Sequence, residues 1–302
     1  YFAKFAKFLF YRPHVLIVNN IEFDHADIFE NLDEIRRAFR QVINQVPRSG
    51  LVLANGDDPV VAEVLGSAPS PVQTFGLGPA NNWRATDVEQ ASGSQTFELV
   101  GPDGPMGRMR LALAGEHNVR NALAALAAVA FTGLHPSALA GALQGFVGVR
   151  RRQELLGTVD GVTIIDDFAH HPTAVLKSLA GLRLAHPDSR LWAVFEPASS
   201  TNARATFESD YLEAFSHADA VIIGSVPRPE RSRGDKPFSP ERLACSLRDA
   251  GVRAWHLDRV EKIVAHLVQE TEANDLVVFM SNAGFNGVQA ETLAALTKRF
   301  QG

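Results

Sequence analysis

From residue 154 onward the chain alternates short apolar runs with helical stretches, and this alternation limits the possible folds more than any other feature. Strands are predicted at Glu154–Val159, Val162–Asp166, Leu191–Phe195, Ala220–Gly224, Ala254–Leu257 and Leu276–Met280. Apolar positions at helical spacing fill Pro172–Leu184, Ala205–Phe215, Pro240–Ala250, Val260–Glu270 and Val288–Phe300. Strands separated by helices of that length imply a doubly wound α/β sheet with crossovers. Ligand crevices in such sheets form beyond the carboxyl ends of the strands. The residues just past each run are therefore the first place to look for chemistry.

The first half is built differently. Val15–Val18 is a continuous apolar run, as expected of a strand buried on both faces. A helix is predicted from Ile28 to Pro47, with Leu32, Ile35, Phe39, Val42 and Val46 on one side. Leu51–Ala54 and Val72–Phe75 are further strands, and Asn55-Gly56-Asp57-Asp58-Pro59 is a turn into a helix. Between Trp83 and Leu113 three short runs broken by Gly, Ser and Pro predict antiparallel strands at an edge. An Ala-rich helix then runs from Gly115 to Phe131 and a second from Pro136 to Gln144. Three arginines, Arg150–Arg152, follow Val149, which marks the domain boundary: 1–149 and 150–302.

Composition removes several function classes. With 46% hydrophobic and 21% charged residues, the chain is that of a globular protein. A net charge of −5 provides no global field for nucleic acid. The longest apolar run, Ala122–Phe131, is too short to span a bilayer, so no membrane partner is expected. Tyr1–Leu9 mixes aromatics with two lysines but lacks a cleavage site. It reads as an internal segment of a longer protein. Cys245 stands alone, which excludes an intramolecular disulfide and favours a reducing, cytoplasmic setting.

Four clusters carry polar residues with catalytic potential. His25 lies among Glu22, Asp24 and Asp27 beyond a strand end, a set suited to Mg²⁺ or Mn²⁺, or equally to capping the next helix. His117, Asn118 and Asn121 share a face at a helix N-terminus, where free N–H groups attract phosphate or ribose. Arg150–Arg152 could clamp a phosphate, or be solvated. Val162–Asp166 leads into Asp167-Phe168-Ala169-His170-His171-Pro172, two carboxylates and two imidazoles at a strand's carboxyl end. Glu196–Asn202 and Ser281–Gly287 occupy the same rim. No GxxxxGK[ST], HExxH, CxxC or GxSxG occurs.

In this order the pieces resemble the Mur ligase family, which joins amino acids or peptides to UDP-N-acetylmuramate with ATP. The matching stretches are Asn20-Ile21-Glu22-Phe23-Asp24-His25, Gly115-Glu116-His117-Asn118-Val119-Arg120-Asn121, Arg151-Arg152, and Asp166 through Pro172. Asn19–Phe29, Glu196-Pro197 and Ser281–Gly287 look most like the members that attach a murein tripeptide. The L-alanine-adding members share the Asp-Asp-x-Ala-His-His-Pro stretch.

The resemblance implies the last part of a central ATPase domain, without its Gly-Lys-Thr phosphate loop and metal-binding glutamate, followed by a complete Rossmann-like C-terminal domain. It also implies ATP and Mg²⁺ (or Mn²⁺) as cofactors, with His25 a metal ligand. His117, Asn118, Asn121, Arg152 and Asp167 would face the nucleotide. His170, Ser281, Asn282 and Gly284 would face the peptide, with Arg152 and His170 as the catalytic pair. UDP-N-acetylmuramate and the murein tripeptide would be the substrates. Where relatives usually carry an arginine after Glu-Pro, this chain has Ala198 and Ser199, so that anion contact would move to Arg204 or to Arg228, Arg231 and Arg233. Without the phosphate loop, the 302 residues alone are expected to be silent, either as part of an enzyme or as a non-catalytic binding protein.

Overall fold

The computed structural model describes residues 6–25, 28–91, 93–198, 207–227 and 237–301. Ser199, Arg204, Arg228, Arg231, Arg233 and Asp27 therefore lie outside the described residues. The chain divides into two compact units, Tyr1–Val147 and Gly148–Gly302.

In the first unit the order is β1 (Val15–Val18), α1 (Leu32–Gln45), β2 (Leu51–Asn55), α2 (Pro59–Ala62), β3 (Val72–Gly76), β4 (Trp83–Ala91), β5 (Ser94–Gly101), β6 (Gly104–Leu111), α3 (Glu116–Phe131) and α4 (Ala140–Gln144). The six strands form one sheet in chain order. Pairing is parallel from β1 to β4 and antiparallel from β4 to β6, the edge predicted from the broken runs. Strand residues of alternating parity serve two cores. Val18, Val52 and Ala54 pack with Ile35 and Ile43 of α1, whereas Leu51, Leu53 and Phe75 pack with Val119, Leu123 and Leu126 of α3. The parallel part is thus covered on both faces, as its continuous apolar runs require.

Two expected helices are shorter. His25 adopts a left-handed φ of 54°, and its carbonyl accepts from the N–H groups of Ile28 and Phe29, closing a turn where the helix was predicted to begin. Asn31 then caps α1: its side chain accepts from Glu34 N at 3.1 Å, and the Glu34 carboxylate accepts from Glu30 N at 2.8 Å. These two bonds around the N-cap are a stronger start signal than the apolar Ile28. The stretch from Pro136 splits into a 3₁₀ turn, Pro136–Leu139, and α4. Near the start, Phe8 packs on Phe39 of α1, while Phe10 and Tyr11 are exposed.

The second unit contains β7 (Glu154–Val159), β8 (Val162–Asp167), α5 (Pro172–Ala185), β9 (Leu191–Phe195), α6 (Asp210–Ala214), β10 (Ala220–Ile223), α7 (Pro240–Asp249), β11 (Arg253–His256), α8 (Val260–Glu270), β12 (Leu276–Met280) and α9 (Val288–Gln301). The sheet order is β11-β10-β9-β12-β8-β7, parallel except for β7. Helices α5, α6 and α7 contribute Leu179, Tyr211 and Leu243 to the core on one face. Helices α8 and α9 contribute Ile263, Leu267 and Leu296 to the other.

Because β12 returns between β8 and β9, its following helix α9 covers the face opposite to that covered by α5 and α6, which follow β8 and β9. The carboxyl ends of β8, β12 and β9 consequently border the crevice of a topological switch point.

Ile222 of β10 is fully buried. Ile222→Ala is expected to lower stability by about 3 kcal/mol, measured by denaturant unfolding of the chain.

Candidate functional site

The crevice of the second unit is lined by the residues at the carboxyl ends of these three strands. Asp166 and Asp167 end β8, Glu196 comes directly after β9 and Ser281 directly after β12, and all four are buried. The Ser281 N–H donates to the Asp167 carbonyl at 3.0 Å, extending the ladder one residue beyond the strands. The Ser281 hydroxyl donates to Glu196 and also accepts from Ala283 N, so one side chain joins two strand ends.

Asp167 is 4% exposed, and both of its oxygens are engaged. One accepts from Ala169 N at 2.9 Å, and the other accepts the hydroxyl of Ser178 on α5. Asp166 accepts from Arg151 Nε at 3.2 Å and from Gln289 Nε2 of α9 at 3.0 Å. The Arg151 guanidinium also reaches the carbonyls of Ser281 (2.7 Å) and Ala283.

Burial raises the Asp167 carboxyl above the usual carboxylate range, outweighing the Ser178 and Ala169 donors and the charge of Arg152. Burial likewise raises Glu196 against the donors Ser281 and Phe285 and the charge of Arg151. Three carboxyl groups thus gather at the crevice, so an anionic ligand there needs an additional cation. Arg152 can supply it. Its guanidinium is exposed and lies 4.9 Å from the centre of the Phe168 ring. Stacking on a ring orients a guanidinium without using its N–H donors.

The residues expected to face a peptide fall in the same unit. His170 is half-buried: its Nδ1 lies 2.9 Å from the Phe168 carbonyl and its ring meets Phe168 edge-on. Asn282 Oδ1 is buried without a hydrogen-bond partner among the described residues, and Gly284 is exposed. Arg152, Asp167, His170, Ser281, Asn282 and Gly284 are therefore gathered at one switch point.

In the first unit the carboxyl rim of the parallel strands is organised by Asp57. Its carboxylate accepts from Leu77 N (2.7 Å), Gly78 N (3.0 Å), Asn81 Nδ2 (2.8 Å) and Arg120 Nε (3.2 Å). A Cβ on Gly76 would collide with that carboxylate, so the approach requires glycine. Arg120 belongs to the first turns of α3, and Asp57 thereby fixes the helix that carries His117, Asn118 and Asn121. Asn118 donates to the Ala114 carbonyl at 2.7 Å, a local cap rather than an outward-facing donor. His117 is half-buried and Asn121 exposed.

His25 is exposed, with Nε2 4.0 Å from Asp24 Oδ2, and its N–H donates to Asp24 Oδ1 at 2.6 Å. No group of three His, Cys, Asp or Glu residues converges as a metal site among the described residues. The described donors therefore do not assemble a site for Mg²⁺ by themselves.

Ser178 and Asp57 escape a reading by motif, and for Arg151 and Glu196, which stand inside matching stretches, the motif does not reveal the contacts they make. Arg151 is one of three consecutive arginines, and nothing in the run distinguishes the inward one. Asp57 lies in a stretch whose turn residues already account for its composition. Its only signal is a second acidic residue beside the capping Asp58, which accepts from Val60 N and Val61 N.

Residues 4–129 match the Mur ligase middle domain and residues 151–283 the Mur ligase, glutamate ligase domain. The chain belongs to the Mur ligase family. It is 33% identical to the UDP-N-acetylmuramate–L-alanine ligase of Desulfitobacterium hafniense over 90% of this chain and 60% of that protein. It is also 33% identical to the UDP-N-acetylmuramate–L-alanyl-γ-D-glutamyl-meso-2,6-diaminoheptandioate ligase of Haemophilus influenzae, over 98% of this chain and 63% of that protein. The crystal structure of a murein peptide ligase from Psychrobacter arcticus superposes with a TM-score of 0.70 at 28% identity, covering 98% of this chain and 60% of that one. This Mur ligase chain thus spans less than two thirds of the length of these relatives.

Burial alone would raise the Asp57 carboxyl, but its N–H donors outweigh burial and hold it below the usual range. A carboxyl lowered on folding stabilises the fold above its unfolded pKa, and that contribution is lost as pH falls below about 4. With Asp57 partly open to solvent, Asp57→Asn is expected to cost about 1 kcal/mol at pH 7. The difference from wild type should shrink toward pH 3, read from urea unfolding at each pH.

Proposed function

We propose that the polypeptide carrying these residues is an ATP-dependent, amide-forming ligase that joins L-alanyl-γ-D-glutamyl-meso-diaminopimelate to UDP-N-acetylmuramate. The observation that supports the tripeptide is coverage. Relatives named for it align over 98% and 99% of this chain, through both units. The L-alanine ligase of Desulfitobacterium hafniense aligns over 90% at equal identity, so L-alanine is the second reading.

In this reading the muramate carboxylate attacks the γ-phosphate of ATP, giving an acyl phosphate and ADP. The peptide amine then attacks the acyl carbon, and phosphate leaves. Two anions must meet in the first step, and their repulsion has to be offset locally. Arg152 is the residue assigned to that work: it is exposed, its N–H donors are uncommitted among the described residues, and Phe168 aims it. His117 and Asn121 are assigned to the nucleotide, on the α3 turn that Asp57 fixes through Arg120. Asp167 supports the nucleotide side through the backbone it orders, since its own oxygens are engaged.

Asn282 Oδ1, a buried acceptor lacking a donor among the described residues, is assigned to an N–H of the incoming peptide, and His170 and Gly284 are assigned to the same substrate. An unpaired buried acceptor favours a ligand that donates to it and penalises one that cannot. When bound, a divalent cation would neutralise charge on the phosphates. His25 is the one donor proposed for it in this chain, and no step is assigned through it.

The test is ligation by the complete gene product with ATP, UDP-N-acetylmuramate and either tripeptide or L-alanine, followed by product mass. Product with the tripeptide is expected, whereas product with L-alanine alone would overturn the assignment. Arg152→Ala should lower kcat/KM roughly 10²-fold, the scale of losing one charge-stabilising donor, with the unfolding midpoint unchanged. A midpoint that falls along with activity would instead make Arg152 structural.

A further inference from the structure

Arg151 lies in the left-handed region (φ 58°), as does Gln153 (φ 51°). A non-glycine residue adopts that conformation at a cost, and it persists where surrounding contacts impose it. Here those contacts reach three strand ends. The Arg151 N–H donates to Glu154 of β7 at 2.7 Å, and its carbonyl accepts from Phe168 N, just beyond β8, at 2.7 Å. Its guanidinium pairs with buried Asp166 and also takes the carbonyls of Ser281 and Ala283, just beyond β12.

Those two carbonyls flank Asn282, whose Oδ1 is buried and unpaired among the described residues. Three residues further on, Phe285, Asn286 and Gly287 adopt positive φ (45°, 49° and 78°). Phe285 is itself held by burial against Phe279, so the stretch before it, 281–284, is the part that depends on the Arg151 guanidinium.

We propose that Arg151 is a positioning residue: by gripping the backbone on both sides of Asn282 it presents the Asn282 side-chain oxygen to the amine-bearing peptide substrate, which Arg151 itself does not touch. This rests on the ligase reading for the identity of the ligand, while the grip on the loop is independent of it. The planar fork of arginine is required, because one side chain must serve a carboxylate and two carbonyls at once. A lysine keeps the charge beside Asp166 but cannot reach all three acceptors in a fixed geometry.

Two measurements on Arg151→Lys test the grip and its consequence separately. Hydrogen exchange of the 302-residue chain should show backbone amides in 281–287 exchanging about tenfold faster, with amides of β9 and β12 unchanged. In the complete gene product, the KM for the peptide should rise about tenfold, while kcat and the KM for ATP stay within twofold. Asn282→Ala should reproduce the KM rise without faster loop exchange, and the double variant should add little to either single one.

Unchanged loop exchange in Arg151→Lys would overturn the grip. Faster exchange with an unchanged peptide KM would overturn the positioning role. If Arg151→Lys does not fold, Asp166→Asn, which removes the carboxylate anchoring the guanidinium, should give the same loop-specific increase in exchange, and its absence would equally overturn the grip. Absence of ligation by the wild-type gene product would refute the ligase reading, and the exchange result on the loop would stand apart from it.

Discussion

A parallel sheet buried on both faces must send its crossovers to both sides, and this requirement organises the second unit. Right-handed connections that proceed in one direction along the sheet cover one face, and covering the other requires the chain to turn back. Here the turn back places β12 between β8 and β9. Strands far apart in sequence then end side by side, and their last residues meet. Asp167, Glu196 and Ser281 are neighbours because of that insertion, although more than a hundred residues separate the first from the last.

Gathering polar residues at buried strand ends creates an electrostatic problem. Asp166, Asp167 and Glu196 are each less than 10% exposed, and an unpaired buried carboxylate costs several kcal/mol. The unit uses three distinct remedies. Asp166 receives a guanidinium and an amide, Asp167 receives a hydroxyl and a backbone N–H, and Glu196 shares the hydroxyl of Ser281. In the first unit the less buried Asp57 gathers two backbone N–H groups, an amide and a guanidinium. In both units one arginine side chain ties a strand-end carboxylate to elements distant in sequence. The neighbouring polar side chains, Asn282 in one unit and His117 with Asn121 in the other, are carried on the segments those ties hold in place.

Much of this was legible in the linear chain. Continuous apolar runs located most of the parallel strands to within a few residues, because burial on both faces leaves that pattern, whereas β4 to β6 were located from short runs broken by Gly, Ser and Pro. Helix starts were less secure. Ile28 satisfied the apolar spacing, yet the Asn31 cap on Glu34 N and the Glu34 carboxylate's bond to Glu30 N placed the start of α1 at Leu32. Among the polar residues, those with a distinctive neighbour pattern were visible, such as Asp166 through His171. Arg151 and Asp57 were not, since consecutive arginines look alike and a turn already explains an aspartate.

The sequence by itself determined the strands, their alternation with helices, and the stretches that tie the chain to the Mur ligase family. These are local properties, encoded in spacing and in short ordered motifs. Which of two adjacent arginines turns inward, and which oxygen is left without a donor, was decided only by the tertiary structure. Both depend on where β12 enters the sheet and on which helices cover each face, relations between residues that are far apart in the chain and meet only once it is folded.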